Sequence, residues 1–409
     1  MYGNSMLFLR FGYHREFALR TLFKKNIESI LIDKPFSDEV AFADYAYFME
    51  NLRNPQELFE FAIKIYKERK CDGVFTFSDN CIVAKGMLSD YLELDYFSEK
   101  LARLLTNKLA VRKYLAQIGA DNTKYFEVKS MEDLEECSKK LLYPFILKPT
   151  DRCASKGVIV IKKEDQLKEN YDYVSGISKN GVLIAEEFIY GDEYCAEILV
   201  YNRDVYVLSI SKKIVAHEKY CIELIDITPA PISLEHIKKI EEYLRDTISE
   251  FGIINSMLHV EVKICDGEQL KIIEINPRPA GGNLVEAIYD LKGLNVYDYA
   301  YDIALKRKID INNLKTQIER PFNGYALFYS FINPAISGTI KSVQGVDRIS
   351  SELKNGRERV MLFYDKGDFL PRPETNEDAR GYIYIQDSDY DEIVKRAYKI
   401  ENLLEYKLE

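Results

Sequence analysis

The segment with the most chemistry in its spacing runs from Ser256 to Arg278, SMLHVEVKICDGEQLKIIEINPR. Two β-prone runs flank Cys265-Asp266-Gly267-Glu268, which predicts a hairpin. Alternation places His259, Glu261 and Lys263 on one face of the first strand and Glu274 and Asn276 on one face of the second. A two-residue Asp266-Gly267 turn sets Glu261 opposite Ile272 and diagonal to Glu274, whereas a four-residue loop sets the two glutamates directly opposite. Both registers leave the carboxylates on one face, roughly 5–8 Å apart, and only a one-residue bulge would separate them. Like charges that close are unfavourable unless a cation or a shared proton compensates. Two carboxylates and an amide oxygen are a hard-oxygen set suited to Mg²⁺. The plain alternative is a solvated sheet face bonded to Lys263 and Lys271. Lys271 is expected on the face opposite Glu274, which weakens that alternative. Pro277 and Pro279 then stop the ladder, Gly281 and Gly282 allow close backbone approach, and Arg278 is a planar cation able to clamp a phosphate or carboxylate. His259 shares the face, although a lone strand histidine is more often a packed residue.

This stretch, HVEVK, a turn and KIIEINPRPAGGN, resembles the metal-binding hairpin of the ATP-grasp superfamily. The likeness points to its carboxylate–amine ligases, a branch that includes L-amino-acid (dipeptide) ligases and formate-dependent glycinamide ribonucleotide transformylases. Further motifs follow in family order. Lys108, opening NKLAVRKYL, matches the helix whose lysine lies near the nucleotide phosphates. Lys148, in YPFILKP, matches the strand lysine that contacts them; a lysine ending an apolar run is costly to bury unpaired, so an anionic partner is expected. Thr150–Val158 resembles the loop that closes over the phosphates. It departs from the family's glycine-rich pattern, leaving Ser155, Lys156 and Gly157 to hold phosphate. Leu183–Glu193 resembles the hinge between the two ATP-grasp subdomains. There Glu186 or Glu187, with Phe188 and Ile189, would hold the adenine, and Glu193 the ribose. Residues 211–231, with Lys213 and Glu223, resemble the border of the acceptor site.

The resemblance implies ATP as nucleotide and Mg²⁺, with Mn²⁺ as a substitute, held by Glu261, Glu274 and Asn276. Arg278 and Lys148 would be the catalytic cations. A substrate carboxylate would be phosphorylated and an amine would then displace phosphate, giving an amide, of dipeptide type by family likeness. Two other readings stand beside it: a purine-pathway ATP-grasp enzyme, and a nucleotide-binding regulatory module without turnover. Small-molecule carboxylate and amine substrates, a homodimer and a cytoplasmic setting are expected.

The elements that must position these residues are legible more coarsely. The first hundred residues alternate strands (Met6–Arg10, Ser29–Ile32, Gly73–Phe77) with helices (Glu16–Lys25, Pro55–Lys70), which predicts a parallel sheet. A helix is expected over Leu101–Ile118, and strand-rich texture follows from Pro144. A linker is expected over Arg307–Phe322, before a final α+β segment. The fold class is thus α/β and α+β: an N-terminal parallel-sheet domain (1–100), an ATP-grasp core of two α+β subdomains (101–306) and a C-terminal α+β segment (307–409). The 409 residues suffice for several domains, and 47% apolar with 30% charged residues excludes wholesale disorder. A formal charge of −10 argues against a nucleic-acid partner. Seven cysteines form no C-x-x-C pair, and no run is long and apolar enough to span a membrane.

Overall fold

The structure, a computed structural model, describes residues 3–12, 15–35, 41–94, 97–217, 219–281, 283–332 and 337–409. Gly282 lies outside them. Strands β1 (Asn4–Leu9), β2 (Ile27–Asp33), β3 (Tyr45–Phe48) and β4 (Gly73–Phe75) form a parallel sheet in the order β3-β2-β1-β4. Met6, Leu7, Phe8 and Leu9 are all buried, as expected of a central parallel strand covered on both faces. The sequence pattern did not show β3, a four-residue edge strand. Phe8, Phe75 and Phe77 meet Tyr297 and Tyr301 at ring distances of 5.3–6.0 Å, so this sheet shares its core with the next unit.

The single helix expected over Leu101–Ile118 is two, Glu99–Leu105 and Lys108–Gln117. Asn107 breaks it: its backbone is extended and its side chain accepts from the Ala110 amide at 3.0 Å, an N-cap. Lys108 therefore stands at a helix start instead of in mid-helix.

A small antiparallel sheet follows, β5 (Tyr125–Val128), β6 (Phe145–Pro149), β7 (Ile159–Ile161) and β8 (Leu183–Glu187), ordered β5-β8-β6-β7 over its own core of Val128, Leu134, Phe145, Leu147 and Val174. The chain then builds β9 (Asp192–Tyr201), β10 (Asp204–His217), β11 (Cys221–Thr228), β12 (Ser256–Ile264) and β13 (Leu270–Asn276). The last segment supplies β14 (Tyr325–Ser330), β15 (Gly338–Gln344), β16 (Arg359–Leu362), β17 (Phe369–Leu370), β18 (Gly381–Asp387) and β19 (Glu405–Leu408). Three of these extend the larger sheet to eight strands, ordered β13-β12-β9-β10-β11-β14-β18-β16, while β17-β15-β19 stand apart. The expected linker before β14 contains a helix, Ile311–Glu319, capped by Asp310 and anchored by buried Leu314.

Pairing in the eight-stranded sheet is shifted by bulges, and these decide which side chains share a face. Ile264 pairs with Leu270, so the hairpin loop is neither of the two lengths expected. Val262 pairs with Ile272 but Glu261 with Glu274, leaving Ile273 as an extra residue on β13. The bulge that was expected to part the two glutamates is what sets them opposite each other. It also corrects Lys271, which pairs with Lys263 and so lies on the glutamates' face. A second bulge at Leu224 does the same on β11: Lys213 pairs with Asp226 and Val215 with Glu223, so both acids face one way although they are three residues apart. The opposite face, with Ile198, Val260 and Val262, is apolar and joins Ile240 and Leu244 of the helix Leu234–Glu250 in the main core.

Candidate active site

The polar face of the eight-stranded sheet, the small sheet and the end of the N-terminal sheet enclose a cavity of about 410 Å³. Among the described residues, eight carboxylates and six Lys or Arg side chains line it. The cavity brings together Lys108, Lys148, Ser155, Glu186, Glu187, Phe188, Ile189, Glu193, Glu261, Glu274, Asn276 and Arg278, all singled out from sequence; Lys156 and Gly157 are not on its wall. Gly157 instead lets the chain turn, with φ +77° and Pro149 so near that a Cβ would lie 3.0 Å from its Cγ.

The opposed glutamates are each neutralised by a lysine from elsewhere. Lys108 donates to Glu274 at 2.7 Å and to the Arg152 carbonyl at 2.5 Å. Lys213 donates to Glu261 at 2.6 Å and lies 2.8 Å from Glu223. Burial alone would raise the Glu261 pKa, but Lys213 and His259 outweigh it and hold it well below the carboxylate range. Burial likewise opposes a charge on His259, yet its hydrogen bond to Glu197 (2.6 Å) and the Glu261 carboxylate 3.7 Å away lift it to about 9. Glu193 is pushed up to about 7 by burial and by the nearby charge of Glu261. Asp226 is raised well above its usual value by burial and by Glu223.

Among the described residues no three His, Cys, Asp or Glu side chains form a metal cage. Glu261, Glu274 and the Asn276 amide, which pairs across from His259, are a smaller set of the kind Mg²⁺ accepts when phosphates complete its shell. Two directly opposed carboxylates, offset here by Lys108, Lys213 and His259, fit a divalent cation.

Lys148 finds the anionic partner its burial demanded. It pairs with Glu186, which also accepts from Arg112 at 3.3 Å, while Arg112 reaches Asp121 at 2.7 Å. Burial would raise the Glu186 pKa, but the charges of Lys148 and Arg112 prevail and lower it. Glu187 is turned the other way, to Lys271 at 2.6 Å, and Lys263 donates to the Ile189 carbonyl at 3.0 Å.

Several residues were missed from sequence. Asp79 grips Arg278 with both oxygens, at 2.5 and 2.7 Å. It follows the carboxyl end of a parallel strand, the usual place for ligand-facing groups in such sheets, and could have been found on that ground. Glu197 is fully buried; it accepts from His259 and from the Ala280 amide at 3.0 Å. An acid inside the apolar run CAEILV was its signal. The segment 371–380 left no signal. Its Glu374 accepts from the hydroxyls of Tyr173 (2.7 Å) and Tyr220 (3.0 Å), and Asn376 accepts from the Glu223 amide and donates to the Ala154 carbonyl. A strap from the C-terminal segment thus ties down the small sheet's helix and the loop Thr150–Val158.

Residues 141–287 match the model of the ATP-grasp domain. The likeness to an ATP-grasp domain thus covers the middle of the chain, from just before β6 through the hairpin β12–β13. Over 347 residues the chain is 22% identical to the L-arginine-specific L-amino acid ligase of Bacillus subtilis, an alignment covering 84% of this chain and 82% of the relative. It is 25% identical over 309 residues to the alanine–anticapsin ligase of Bacillus subtilis (strain 168), covering 69% of this chain and 65% of that protein. The crystal structure of an L-amino acid ligase from Bacillus licheniformis superposes with a TM-score of 0.85 over 100% of both chains at 20% identity. The fold is that of the ATP-grasp enzymes, which use ATP.

Two outcomes are expected. Glu186→Gln leaves Lys148 buried without its anion and Arg112 with Asp121 alone, and should cost about 3–5 kcal/mol at pH 7. Because the folded pKa of Glu186 is depressed, its stabilisation is complete above the unfolded value of about 4.3 and is lost as pH falls through the folded one. The gap between variant and wild type, measured by denaturant unfolding, should therefore shrink below about pH 4.3. Glu374→Ala, which removes both tyrosine bonds, should speed amide exchange in 150–158 and in the helix Leu167–Ile177 about tenfold, roughly 1.4 kcal/mol. Glu374→Gln, which keeps an acceptor, should restore most of the protection in exchange mass spectrometry.

Proposed function

We propose that the protein is an ATP-dependent carboxylate–amine ligase that joins amino acids, releasing ADP and phosphate. The observation that carries this is the pair Glu261 and Glu274, set directly opposite by a bulge, with Lys108, Lys148 and Arg278 around the same cavity. The L-amino acid ligase relative aligns over 84% of the chain and a formate-dependent transformylase over 46%, which favours this over a purine-pathway enzyme. A regulatory module without turnover would not need a partly buried acid pair held ready for a cation.

In this reading the hinge Glu186–Ile189 lodges the adenine and Glu193 the ribose. Lys108 and Lys148, with Ser155 and Lys156 on the loop Thr150–Val158, meet the phosphates. Mg²⁺ or Mn²⁺, bound through Glu261, Glu274 and Asn276, would offset triphosphate charge in a cavity already rich in carboxylates. A carboxylate oxygen of one substrate attacks the γ-phosphorus and displaces ADP, forming an acyl phosphate. The second substrate's neutral amine then attacks the acyl carbon, phosphate leaves, and the amine's proton is lost. Arg278, locked by Asp79, keeps its guanidinium at the cavity wall, where it steadies the carboxylate and the charge that develops on it. The loop, pinned by the strap, keeps water from the acyl phosphate. No side-chain nucleophile is required.

No helix among the described residues is long and apolar enough to cross a membrane. The reading includes a cytoplasmic setting, supported by seven unbridged cysteines. It also includes a homodimer, to which exposed Phe42 and Phe48, the last residue of the edge strand β3, could contribute apolar contacts.

Glu274→Gln keeps size and hydrogen bonding but removes one charge. It should lower ADP release with pooled amino acids about a hundredfold or more while thermal unfolding stays near wild type. Near-normal release by a folded variant would remove Glu274 from the metal role.

A further inference from the structure

The cavity does not end at the acid row. Beyond β11 its wall passes to the C-terminal strands, which lie outside the matched ATP-grasp segment. Asp226 pairs in register with Phe328 on β14, so the two side chains stand side by side on the cavity face. The Phe328 ring lies 4.9 Å from Tyr382, and Phe363, on the rim, lies 6.1 Å from Tyr382. Ser330 and Asn283 complete this end.

Asp226 is about nine-tenths buried, and its Oδ1 has no hydrogen-bond partner although the residue lines the cavity. Its neighbour Lys213 directs its ammonium to Glu223 and Glu261 instead. Buried carboxylate oxygens without a donor are costly, so one at a cavity wall marks where a donor arrives with a ligand. Burial and Glu223 favour the protonated form of Asp226, and a cationic donor at the cavity wall would shift it toward the carboxylate. Beside it, three aromatic rings offer an apolar surface that water solvates poorly.

We propose that this end of the cavity selects the carboxylate-donating substrate: an amino acid whose ammonium bonds to Asp226 and whose bulky apolar side chain lies against Phe328, Tyr382 and Phe363. The inference rests on the ligase reading above. It assigns the site to the donor because a carboxylate partner keeps an amine protonated and unreactive, which suits the donor and would block an acceptor. The donor's own amine is thereby kept from attacking an activated carboxyl.

The test is a matrix of donor and acceptor amino acids scored by phosphate release, with product order read by mass spectrometry. Phenylalanine, leucine or methionine should exceed alanine, serine and aspartate as the N-terminal residue of the product at least tenfold in kcat/KM. Wild type should reject 3-phenylpropanoate, which lacks the ammonium. Asp226→Asn should raise KM for the donor at least tenfold, leave KM for ATP near wild type and lose most of the discrimination against 3-phenylpropanoate. Phe328→Leu, a milder change that tests the wall should Asp226→Asn fail to fold, should reduce preference for aromatic over aliphatic donors. A preference for small or polar donors, or discrimination unchanged in Asp226→Asn, overturns this proposal alone. Phosphate release with no pair of amino acids overturns the ligase reading itself.

Discussion

Two carboxylates forced into direct opposition across a pair of strands set the terms for the rest of this molecule. Glu261 and Glu274 are co-facial because a bulge at Ile273 advances one strand by a residue. Unopposed, such a pair would split the strands, since like charges directly across a ladder repel at short range. The fold answers with lysines brought from distant chain: Lys108 from a helix start that Asn107 creates, and Lys213 from two strands away. Each lysine holds one glutamate of the pair. Lysine is suited to this, a compact charge on a flexible stem that can turn toward a phosphate when a cation arrives.

The same constraint explains why three chain segments are needed. The N-terminal sheet supplies Asp79, which fixes the Arg278 guanidinium through two hydrogen bonds. The core supplies the acids and the buried Lys148–Glu186–Arg112 network that orders the hinge. The C-terminal segment adds strands to the core's own sheet and sends a strap back over the loop, so one wall of the cavity is built from the end of the chain. Site and scaffold are mutually dependent: without the strap the loop is held at fewer points, and without Asp79 a buried arginine would lack its anion.

Much of this was legible because it is local. Alternation along β12 and β13 placed Glu261, Glu274 and Asn276, and the apolar run before Lys148 announced a buried charge. What escaped was either non-local or a matter of one residue. Bulges at Ile273 and Leu224 change register without a signature in composition, so Lys271 was assigned to the wrong face and Asp226 was not connected with Glu223. Asn107 was read as part of a continuous helix, although its type is a good cap, because the flanking apolar spacing runs through it. The partnership of Arg278 with Asp79, 199 residues apart, and the strap from Glu374 to Tyr173 are products of tertiary folding alone. The solved structure at 20% identity shows the fold, while the aromatic wall is a reading of this chain's own side chains.

The central claim is that the site activates a carboxylate by phosphorylation. It is tested most directly by following oxygen. With a donor amino acid carrying ¹⁸O in its carboxylate, the account requires one labelled oxygen to appear in the released phosphate for each amide bond formed. Phosphate free of label, alongside amide product, would contradict it.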